Sequence, residues 1–377
     1  PAPVLYYAAI TKCRGNGVMV TASHNPANYN GMKIMLAGKP YSDDDFQGLK
    51  EKILSSATLE GAGSVNEYNI LEEYVTKITA NIILARPLNI VIDTGNGVAG
   101  VIAQTLFEQL GCKVVPLFAD VDGTFPNHPP DPSRPENLVA LSAALIEHKA
   151  DIGFAFDGDG DRLGVVASGG EIIWPDRILM FLAKDILSRN KGATVLYDVK
   201  SSKKLSRYIS QHGGKSIMCP SGHSLMKKKL LETGALLAGE MSGHLFIKER
   251  WFGFDDALFA AARILEILSI DLRKSRQVFA ELPDSLNTPE ILLPVENPHA
   301  IIKSILADTT AFKDAKVFTM DGLRAEYTNG WGLVRASNTE DNLTLRFEAD
   351  DEQALQGIAQ TFKDAVLKAA PGTEFPF

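Results

Sequence analysis

Short apolar runs alternate with amphipathic segments as far as about residue 285, a pattern typical of α/β proteins. Apolar runs predict strands at 88–93, 113–118, 151–156, 194–199, 215–219 and 235–238. Helical spacing predicts helices at 98–110, 135–149, 203–212, 224–233 and 255–269. A hairpin that closes at Gly169-Gly170 is predicted for segments 163–166 and 171–174.

The pattern changes after about residue 291. One strand and one helix precede predicted strands near 316–327, 331–335 and 342–348, and a closing helix covers about 352–369. We expect a separate α+β domain there. The domain boundaries that the whole pattern predicts lie near residues 68, 172 and 286.

A polar loop follows each of several predicted strands. These loops are TASHNP after Val20, DTGNG after Ile92, DGDGDR after Phe156, KSS after Val199 and GEMSGH after Ala238. In open α/β sheets, ligands bind beyond the carboxyl ends of the strands. Several domains with such loops predict one central cleft shared between them.

The composition is that of an average globular protein. The 377 residues carry a net charge of −8, which argues against nucleic-acid and anionic-membrane partners. The sequence has no apolar run close to the roughly 20 residues that span a bilayer. Cys13, Cys112 and Cys219 are odd in number and far apart, so neither a disulfide framework nor a zinc site is indicated. We expect a cytoplasmic protein of two to four domains.

The loop DGDGDR, residues 157–162, carries the strongest chemical signal. Carboxylates at every second position, spaced by glycines, can converge on one hard cation. An EF-hand loop begins in the same way, but it needs glycine and glutamate where this chain has Arg162 and Ser168. A solvated acidic turn is the alternative. We favour a Mg²⁺ site formed by Asp157, Asp159 and Asp161.

The segment DTGNGVAG, residues 93–100, admits two interpretations. It matches G-x-G-x-x-G between a predicted strand and a predicted helix, and Asp120 lies 20 residues beyond Gly100, as in a dinucleotide-binding turn. It stands alone in the sequence, however, without a second mononucleotide-binding half in the usual form. We favour a tight strand-to-helix turn that requires glycine.

An apolar run at 18–20 stops at TASHNP, and two interpretations of Ser23 stay open. Clusters of serine, asparagine and proline commonly mark turns and helix caps. A nucleophilic serine would need activation and a cationic environment, which His24 and Lys33 could supply.

Two further loops combine groups that suit a phosphorylated sugar. GEMSGH offers Glu240, Ser242 and His244, and this mixture of donors and acceptors suits a hydroxyl-rich ligand. RASNTE, residues 335–340, joins two predicted strands, and its guanidinium, hydroxyls and amide suit a dianionic phosphate. A polar hairpin turn is the alternative interpretation of RASNTE. His223, as a lone histidine, is by itself weak evidence for a functional site.

Together these loops resemble those of the α-D-phosphohexomutase superfamily, most closely bacterial phosphomannomutase/phosphoglucomutase. The resemblance covers essentially the whole chain and rests on TASHNP, DGDGDR, GEMSGH and RASNTE, in the family's order and approximate spacing. GEMSGH and RASNTE are closer to the hexose enzymes than to phosphoglucosamine mutase, whose usual forms are nearer GEQSGH and RPSGTE.

The resemblance implies an α/β, multi-domain fold around a central cleft. Three related α/β domains with mixed sheets, the first one incomplete, would precede a C-terminal α+β domain. The expected domains are 1–68 with the phosphoserine loop, 69–172 with the metal-binding loop, 173–286 with the sugar-binding loop and 287–377 with the phosphate-binding loop. DTGNG would be a turn of the second domain rather than a dinucleotide site.

The resemblance also implies a role for each candidate residue. Ser23 would carry a phosphoryl group and hold Mg²⁺ together with the three aspartates. Lys33 and His244 match positions proposed for proton transfer, while His24 and Arg162 would support the phosphoserine. The expected substrate ligands are Lys200, His223, Glu240, Ser242, Arg335, Ser337, Asn338 and Thr339.

The implied activity is interconversion of hexose 1-phosphate and hexose 6-phosphate, of glucose or mannose. A hexose 1,6-bisphosphate would form and reorient without leaving, with glucose 1,6-bisphosphate as activator. The protein would be a monomer that binds small sugar phosphates.

Only 22 residues precede Ser23, far fewer than in the family. We therefore expect a fragment or an N-terminally trimmed form without the opening βα segment and its arginine-bearing loop. Alternatives are a truncated, inactive sugar-phosphate-binding protein, phosphoglucosamine mutase and a serine-dependent phosphatase. A hydrolase has no need to hold its substrate in two orientations, so the sugar-binding loop favours a mutase.

Overall fold

The computed structural model describes residues 1–41, 43–56, 59–337 and 341–376. The strands of these residues form four sheets that follow one another along the chain. This arrangement confirms the predicted multi-domain α/β fold. Among the helices of the described residues, none combines the length and the apolar character needed to cross a bilayer.

The first sheet is small and antiparallel, in the order β1-β2-β3. The elements of this region are α1 (Ala2–Lys12), β1 (Gly17–Val20), β2 (Met32–Leu36), β3 (Lys39–Pro40) and α2 (Asp43–Leu54). Val20 pairs with Met32, so the loop that carries Ser23 closes the β1–β2 hairpin. Helix α1, which the apolar pattern did not predict, buries Tyr6 and Tyr7.

The second sheet has the order β5-β4-β6-β7-β8, with β4 parallel to β5 and β6 and with β7 antiparallel to β6 and β8. The elements here are α3 (Leu71–Thr79), β4 (Asn89–Asp93), α4 (Ala103–Gln109), β5 (Lys113–Leu117), α5 (Val139–Glu147), β6 (Ile152–Phe156), β7 (Leu163–Ala167) and β8 (Ile172–Ile173). Short 3₁₀ turns cover Val98–Val101 and Pro135–Leu138. Because β4 and β6 are parallel neighbours, DTGNG and DGDGDR emerge at the same edge of this sheet.

The glycines of DTGNG pack against protein backbone. A Cβ on Gly97 would lie 2.8 Å from the Gly158 carbonyl oxygen, and one on Gly100 would lie 2.1 Å from the Ala119 carbonyl oxygen. These close approaches support the tight strand-to-helix turn over a dinucleotide site.

The third sheet has the order β10-β9-β11-β12, with β12 antiparallel to β11 and the other pairs parallel. The elements here are α6 (Pro175–Arg189), β9 (Thr194–Asp198), α7 (Lys203–Gln211), β10 (Lys215–Cys219), α8 (His223–Thr233), β11 (Leu237–Gly239), β12 (Leu245–Ile247), α9 (Ala257–Ile270) and α10 (Ser275–Ala280). GEMSGH is the turn between β11 and β12.

The fourth sheet is antiparallel, in the order β13-β18-β17-β16-β15, with β14 also paired to β18. The elements here are β13 (Leu286–Asn287), β14 (Ile291–Pro294), α11 (Pro298–Ala307), a 3₁₀ turn at Thr310–Phe312, β15 (Lys316–Phe318), β16 (Leu323–Tyr327), β17 (Gly330–Ala336), β18 (Asn342–Ala349) and α12 (Glu352–Ala369). Phe362 of α12 is fully buried against this sheet. The predicted α+β character of this region is confirmed.

Polar contacts join the fourth region to the loop after β9. Arg324 Nη1 donates to the carbonyl oxygens of Val199 at 2.6 Å and Ser201 at 2.7 Å. Ser202 Oγ donates to Glu348 Oε1 at 2.8 Å. The loop that carries Lys200 is therefore held by the last region of the chain.

Candidate active site

Ser23 lies in a loop whose backbone adopts an uncommon conformation. Its φ is +54°, in the left-handed region. The backbone N–H donates to Thr21 Oγ1 at 2.9 Å, and the side-chain Oγ donates to Asp157 Oδ2 at 2.8 Å. Thr21 Oγ1 in turn donates to Asp159 Oδ2 at 2.9 Å. This turn presents the Ser23 hydroxyl to the DGDGDR loop.

The three aspartates of DGDGDR are buried together. Asp157, Asp159 and Asp161 are 0%, 1% and 0% exposed. Oδ1 of Asp157 accepts the backbone N–H groups of Gly160 and Asp161 at 2.9 Å each. Asp157 therefore uses Oδ1 to fix the backbone of its own loop, and its Oδ2 accepts the hydrogen bond from Ser23.

Lys33, on β2, supplies the positive charge closest to these carboxylates. Its Nζ lies 2.7 Å from Asp159 Oδ2 and also donates to Asp161 Oδ2. Burial alone would lower the pKa of Lys33, but attraction to Asp161 and Asp159 outweighs it and raises the pKa above the usual lysine range. The side chain is thus a protonated ammonium that bridges two buried carboxylates.

His24 and Arg162 lie on another side of the Ser23 hydroxyl. Ser23 Oγ is 3.2 Å from His24 Nδ1, and Arg162 Nη1 is 3.4 Å from His24 Nε2. Burial, and then the charge of Arg162, lower the pKa of His24 to about 4. At neutral pH the hydroxyl therefore faces a neutral imidazole backed by a guanidinium.

GEMSGH joins DGDGDR through backbone and side-chain contacts. Arg162 and His244 form a β-bridge, and Leu163 N donates to Gly243 O at 3.0 Å. His244 Nε2 lies 3.3 Å from Asp161 Oδ1, while its Nδ1 lies 2.8 Å from Ser242 Oγ and 3.3 Å from Glu240 Oε2. The candidate sugar-binding loop and the candidate metal-binding loop therefore share one histidine.

The His244 ring is held in its charged form. Burial would lower its pKa, but the Asp161 carboxylate and hydrogen bonds to Asp161 and Glu240 raise the pKa to about 9. His223 stacks on it with ring centroids 5.4 Å apart and ring planes 17° from parallel.

Lys200, an expected sugar ligand, and Arg335, an expected phosphate ligand, each form an ion pair with a different carboxylate. Lys200 Nζ donates to Glu290 Oε1 at 2.7 Å, and Arg335 Nε donates to both oxygens of Asp321 at 3.0 Å. Asp321 Oδ2 also accepts Ser221 N at 2.9 Å, two residues before His223. Within the part of the chain that the structure describes, no hydrogen bond or ion pair joins Lys200 or Arg335 to Ser23.

The RASNTE segment, which begins at the end of β17, is described only in part. Ser337 donates its backbone N–H to Asn342 O at 3.0 Å. The predicted ligands Asn338 and Thr339 lie outside the described residues.

The aspartate cluster fits a hard divalent cation. Asp159 Oδ1 is buried and has no hydrogen-bond partner among the described residues, and the buried Asp161 Oδ1 has an ionic contact with His244 Nε2 at 3.3 Å. Carboxylate and hydroxyl oxygens are the donors that such a cation prefers, and the Ser23 hydroxyl lies beside them. One ligand atom from each of the three aspartates can be chosen with all three within 4.8 Å of one another.

The carboxylates of this cluster differ in their affinity for protons. Burial, and then repulsion from Asp161 and Asp159, raise the pKa of Asp157 to about 8. For Asp161, burial is outweighed by the charge of Lys33 and by His244, which hold its pKa well below the usual range. A proton therefore binds more readily at Asp157 than at Asp161.

Sequence reasoning missed a buried network behind His223. Asp255 lies 3.2 Å from His223 Nδ1 through Oδ2 and accepts Lys227 Nζ at 2.9 Å through Oδ1. One signal was present in the sequence, because two aspartates precede α9 and a helix needs only one as its cap. Asp256 takes the capping role by accepting Phe259 N at 2.9 Å, which leaves Asp255 for another purpose.

Four family profiles match the chain. Their descriptions are phosphoglucomutase/phosphomannomutase alpha/beta/alpha domain I over residues 1–60, domain II over 72–170, domain III over 174–286, and the C-terminal domain over 290–365.

Individual proteins give the same result. The phosphomannomutase/phosphoglucomutase of Pseudomonas aeruginosa PAO1 is 51% identical over 379 residues, covering 100% of this chain and 82% of that protein. A crystal structure of a phosphoglucomutase/phosphomannomutase family protein from Burkholderia thailandensis has 47% identity and a TM-score of 0.93, covering 100% of this chain and 83% of that one.

A more distant solved structure shares the fold. It is Aspergillus fumigatus N-acetylphosphoglucosamine mutase in complex with GlcNAc-6P and magnesium, with 17% identity and a TM-score of 0.65 over 97% of this chain and 91% of that one.

A four-region fold with these loops, and relatives at this level of identity, define a phosphohexomutase, which is an isomerase. The chain belongs to the phosphoglucomutase/phosphomannomutase family. The predicted superfamily and activity class are confirmed. The family uses a metal ion, and the buried aspartates are residues that could hold one.

Proposed function

We propose that this phosphohexomutase interconverts the 1- and 6-phosphates of glucose and mannose through a phosphorylated Ser23. The observation that carries the proposal is the 2.8 Å contact between Ser23 Oγ and Asp157, within a buried cluster of carboxylates and cations. The Pseudomonas aeruginosa relative is named for both sugars. Glucose and mannose differ only at C2, so one hydroxyl-binding loop can serve both.

The reaction consists of two phosphoryl transfers. In the first, the Oγ–P bond of phosphoserine breaks, a bond forms between phosphorus and the free sugar hydroxyl, and the hydroxyl proton passes to a base. A hexose 1,6-bisphosphate results, turns round in the cleft and returns its other phosphoryl group to Ser23. Glucose 1,6-bisphosphate therefore serves as activator, since it can phosphorylate Ser23.

Mg²⁺ is the proposed cofactor, held by Asp157, Asp159, Asp161 and the oxygen on Ser23. When bound, it offsets the negative charge that spreads over the transferring phosphoryl group. Arg162 contributes to the same end through its charge, and the neutral His24, which contacts both Arg162 and Ser23 Oγ, supports the phosphoserine by hydrogen bonding.

The proposed proton carriers are Lys33 and His244. Both contact Asp161, and both have raised pKa values, so each holds a proton at neutral pH. In each half of the reaction a protonated carrier can supply a proton to the leaving oxygen, and a carrier that has given up its proton can accept the proton of the attacking hydroxyl.

Other side chains would hold the sugar phosphate in either orientation. Glu240 and Ser242 grip sugar hydroxyls beside His244, and Lys200 and His223 help to orient the ring. Arg335, Ser337, Asn338 and Thr339 bind the phosphate that is not reacting. The proposed units are residues 1–68, 69–172, 173–286 and 287–377 around one cleft, in a monomeric, cytoplasmic protein whose partners are small sugar phosphates.

A coupled assay tests this function. We expect conversion of glucose 1-phosphate and mannose 1-phosphate to the 6-phosphates, with Mg²⁺ and a trace of glucose 1,6-bisphosphate. EDTA treatment and Ser23→Ala should each abolish turnover. Ser188→Ala is the matched control, since its hydroxyl is exposed and donates to the backbone carbonyl of Asp185. Intact-mass measurement should show one phosphate on the wild type and none on Ser23→Ala.

Two outcomes would contradict the proposal. Turnover that survives Ser23→Ala would exclude the phosphoserine. Release of inorganic phosphate in place of isomerisation would favour the serine-dependent phosphatase.

A further inference from the structure

Asp255 is a fully buried carboxylate next to the candidate site. Its backbone pairs with Phe246 of β12, just beyond GEMSGH, so its position is fixed relative to that loop. Oδ2 lies 3.2 Å from His223 Nδ1, and Oδ1 accepts Lys227 Nζ at 2.9 Å. Each oxygen of this carboxylate therefore has its own partner.

Lys227 neutralises Asp255 and is held in place by α1. Its side chain is 8% exposed, and its Nζ donates to Tyr6 OH at 3.0 Å and lies 4.1 Å from the centre of the Tyr6 ring. The buried charges of Lys227 and Asp255 thus compensate each other. The carboxylate orientation is set by this pair.

A second metal site is the competing explanation of the cluster. Atoms of Asp161, His244 and Asp255 lie within 4.8 Å of one another. The geometry weighs against it, because the two oxygens of Asp255 already face His223 Nδ1 and the Lys227 ammonium, one partner each.

His223 is a neutral ring with one defined proton position. Burial, and then the charge of Lys227, lower its pKa, so the ring carries a single N–H at neutral pH. Asp255 can only accept, so that proton lies on Nδ1. The described residues give Nε2 no hydrogen-bond partner, and the side chain keeps 33% of its surface exposed.

We propose that Asp255, held by Lys227, is a positioning residue that fixes His223 in the Nδ1–H tautomer and so presents Nε2 as an acceptor for a sugar hydroxyl of the substrate. The inference rests on the proposed function only in giving His223 a place at the sugar. Asp255 acts through the imidazole and does not touch the substrate.

Asp255→Asn is the direct test. Lys227 has only donors, so it holds the amide oxygen and turns the amide N–H₂ toward His223 Nδ1. The ring must then accept at Nδ1 and carry its proton on Nε2. Asp256→Asn is the matched control, because it changes the neighbouring buried aspartate, whose hydrogen-bond partners are Tyr74, Trp251 and Phe259.

The primary measurement is ¹⁵N NMR of histidine-labelled protein, with the His223 signals assigned by their loss in His223→Gln. We expect the unprotonated nitrogen to be Nε2 in the wild type and in Asp256→Asn, and Nδ1 in Asp255→Asn. An unchanged pattern in Asp255→Asn, or an equal change in Asp256→Asn, would overturn the proposal. If Asp255→Asn does not fold, Asp255→Asn/Lys227→Met keeps the buried charge balanced. Its amide is no longer tied to an ammonium, so a mixture of tautomers is expected, and a single Nδ1–H form would overturn the proposal.

Kinetics separate this inference from the proposed function. We expect Asp255→Asn to lower kcat/KM at least about tenfold, mainly by raising KM, because an acceptor for the sugar is lost. In a His223→Gln background the same change should cost less than about twofold, since its effect passes through the ring. Suppose that the tautomer switches in Asp255→Asn but that Asp255→Asn and His223→Gln both keep wild-type kinetics. The tautomer assignment would then stand, and the proposed contact between His223 and the sugar would be overturned.

Discussion

The carbonyl oxygen of Ser23 lies directly against Gly158, so that a Cβ built on Gly158 would be 2.1 Å from it. No side-chain rotation relieves such a contact, because both groups belong to the backbone or are fixed to it. The loop that carries Ser23 and the DGDGDR loop therefore meet at a position where only glycine fits.

Gly158→Ala is expected to separate these two loops. The Ser23 hydroxyl would move away from Asp157, and a misplacement of about 1 Å at a reacting group costs on the order of 10²-fold in rate. We expect a loss of about that size in kcat, measured in the coupled assay. Gly48→Ala is the control, since no other part of the described chain lies within 4 Å of a Cβ at that position in α2. Wild-type kcat in Gly158→Ala would show that the loop contact is not needed.

Lys33→Met tests whether the ammonium and a metal ion compete for the same carboxylates. Lys33 bridges Asp159 and Asp161, so its loss leaves buried charges unpaired, at a cost of about 3 kcal/mol in the metal-free protein. Added Mg²⁺ should then raise the melting temperature of the variant more than that of the wild type. The measurement is thermal unfolding in EDTA and in Mg²⁺.

Lys12→Met is the control for this comparison. Its salt bridge to Glu73 is 2.8 Å long, with both side chains about 40% exposed, and exposed pairs contribute little. Equal stabilisation by Mg²⁺ in the wild type and in Lys33→Met would contradict the competition.

Arg324→Lys probes the contact between the last region and the Lys200 loop. Arg324 is 1% exposed, bonds to two carbonyl oxygens and lies 3.9 Å from the centre of the Trp331 ring. Lysine cannot make both bonds and the planar stack. We expect KM for the hexose phosphate to rise severalfold, because the loop that carries Lys200, the proposed sugar ligand, is released. Arg276→Lys, at an exposed ion pair with Glu171, should leave KM unchanged. An unchanged KM in Arg324→Lys would show that the contact between Arg324 and the Lys200 loop does not influence substrate binding.

Much of the fold could be predicted because apolar runs and amphipathic periods along the chain indicate which segments are buried. β6 was predicted at 151–156 and found at Ile152–Phe156, where all five positions are buried. Helix α6 was missed because nine of its positions are buried, which blurs the amphipathic period, and because Pro175 follows directly on the predicted hairpin. β12 has only three residues, too few for alternation to be recognised.

The candidate site, like the fold, could be predicted from the sequence only in part. Ser23, the three aspartates and GEMSGH lie in loops whose glycines and polar residues interrupt apolar runs, so the sequence marks them. Asp255 and Lys227 are 28 residues apart, and only tertiary folding brings their side chains together. A contact of this kind leaves no local signal in a single sequence.

Asp256 gives the fold a pH dependence that can be measured apart from catalysis. Burial raises its pKa from 3.8 to about 6, although hydrogen bonds from Phe259, Tyr74 and Trp251 partly oppose this. The folded protein therefore binds this proton more tightly than the unfolded chain does, and the resulting stabilisation is full below the unfolded pKa and is lost as the pH rises through about 6. Asp256→Asn cannot ionise. As the pH rises from about 4.5 to about 7, the wild type loses this contribution and the variant does not. The free energy of unfolding of the variant, relative to that of the wild type, should therefore increase by about 2 kcal/mol, which is measured from the difference in thermal midpoints. The same difference at both pH values would contradict the raised pKa.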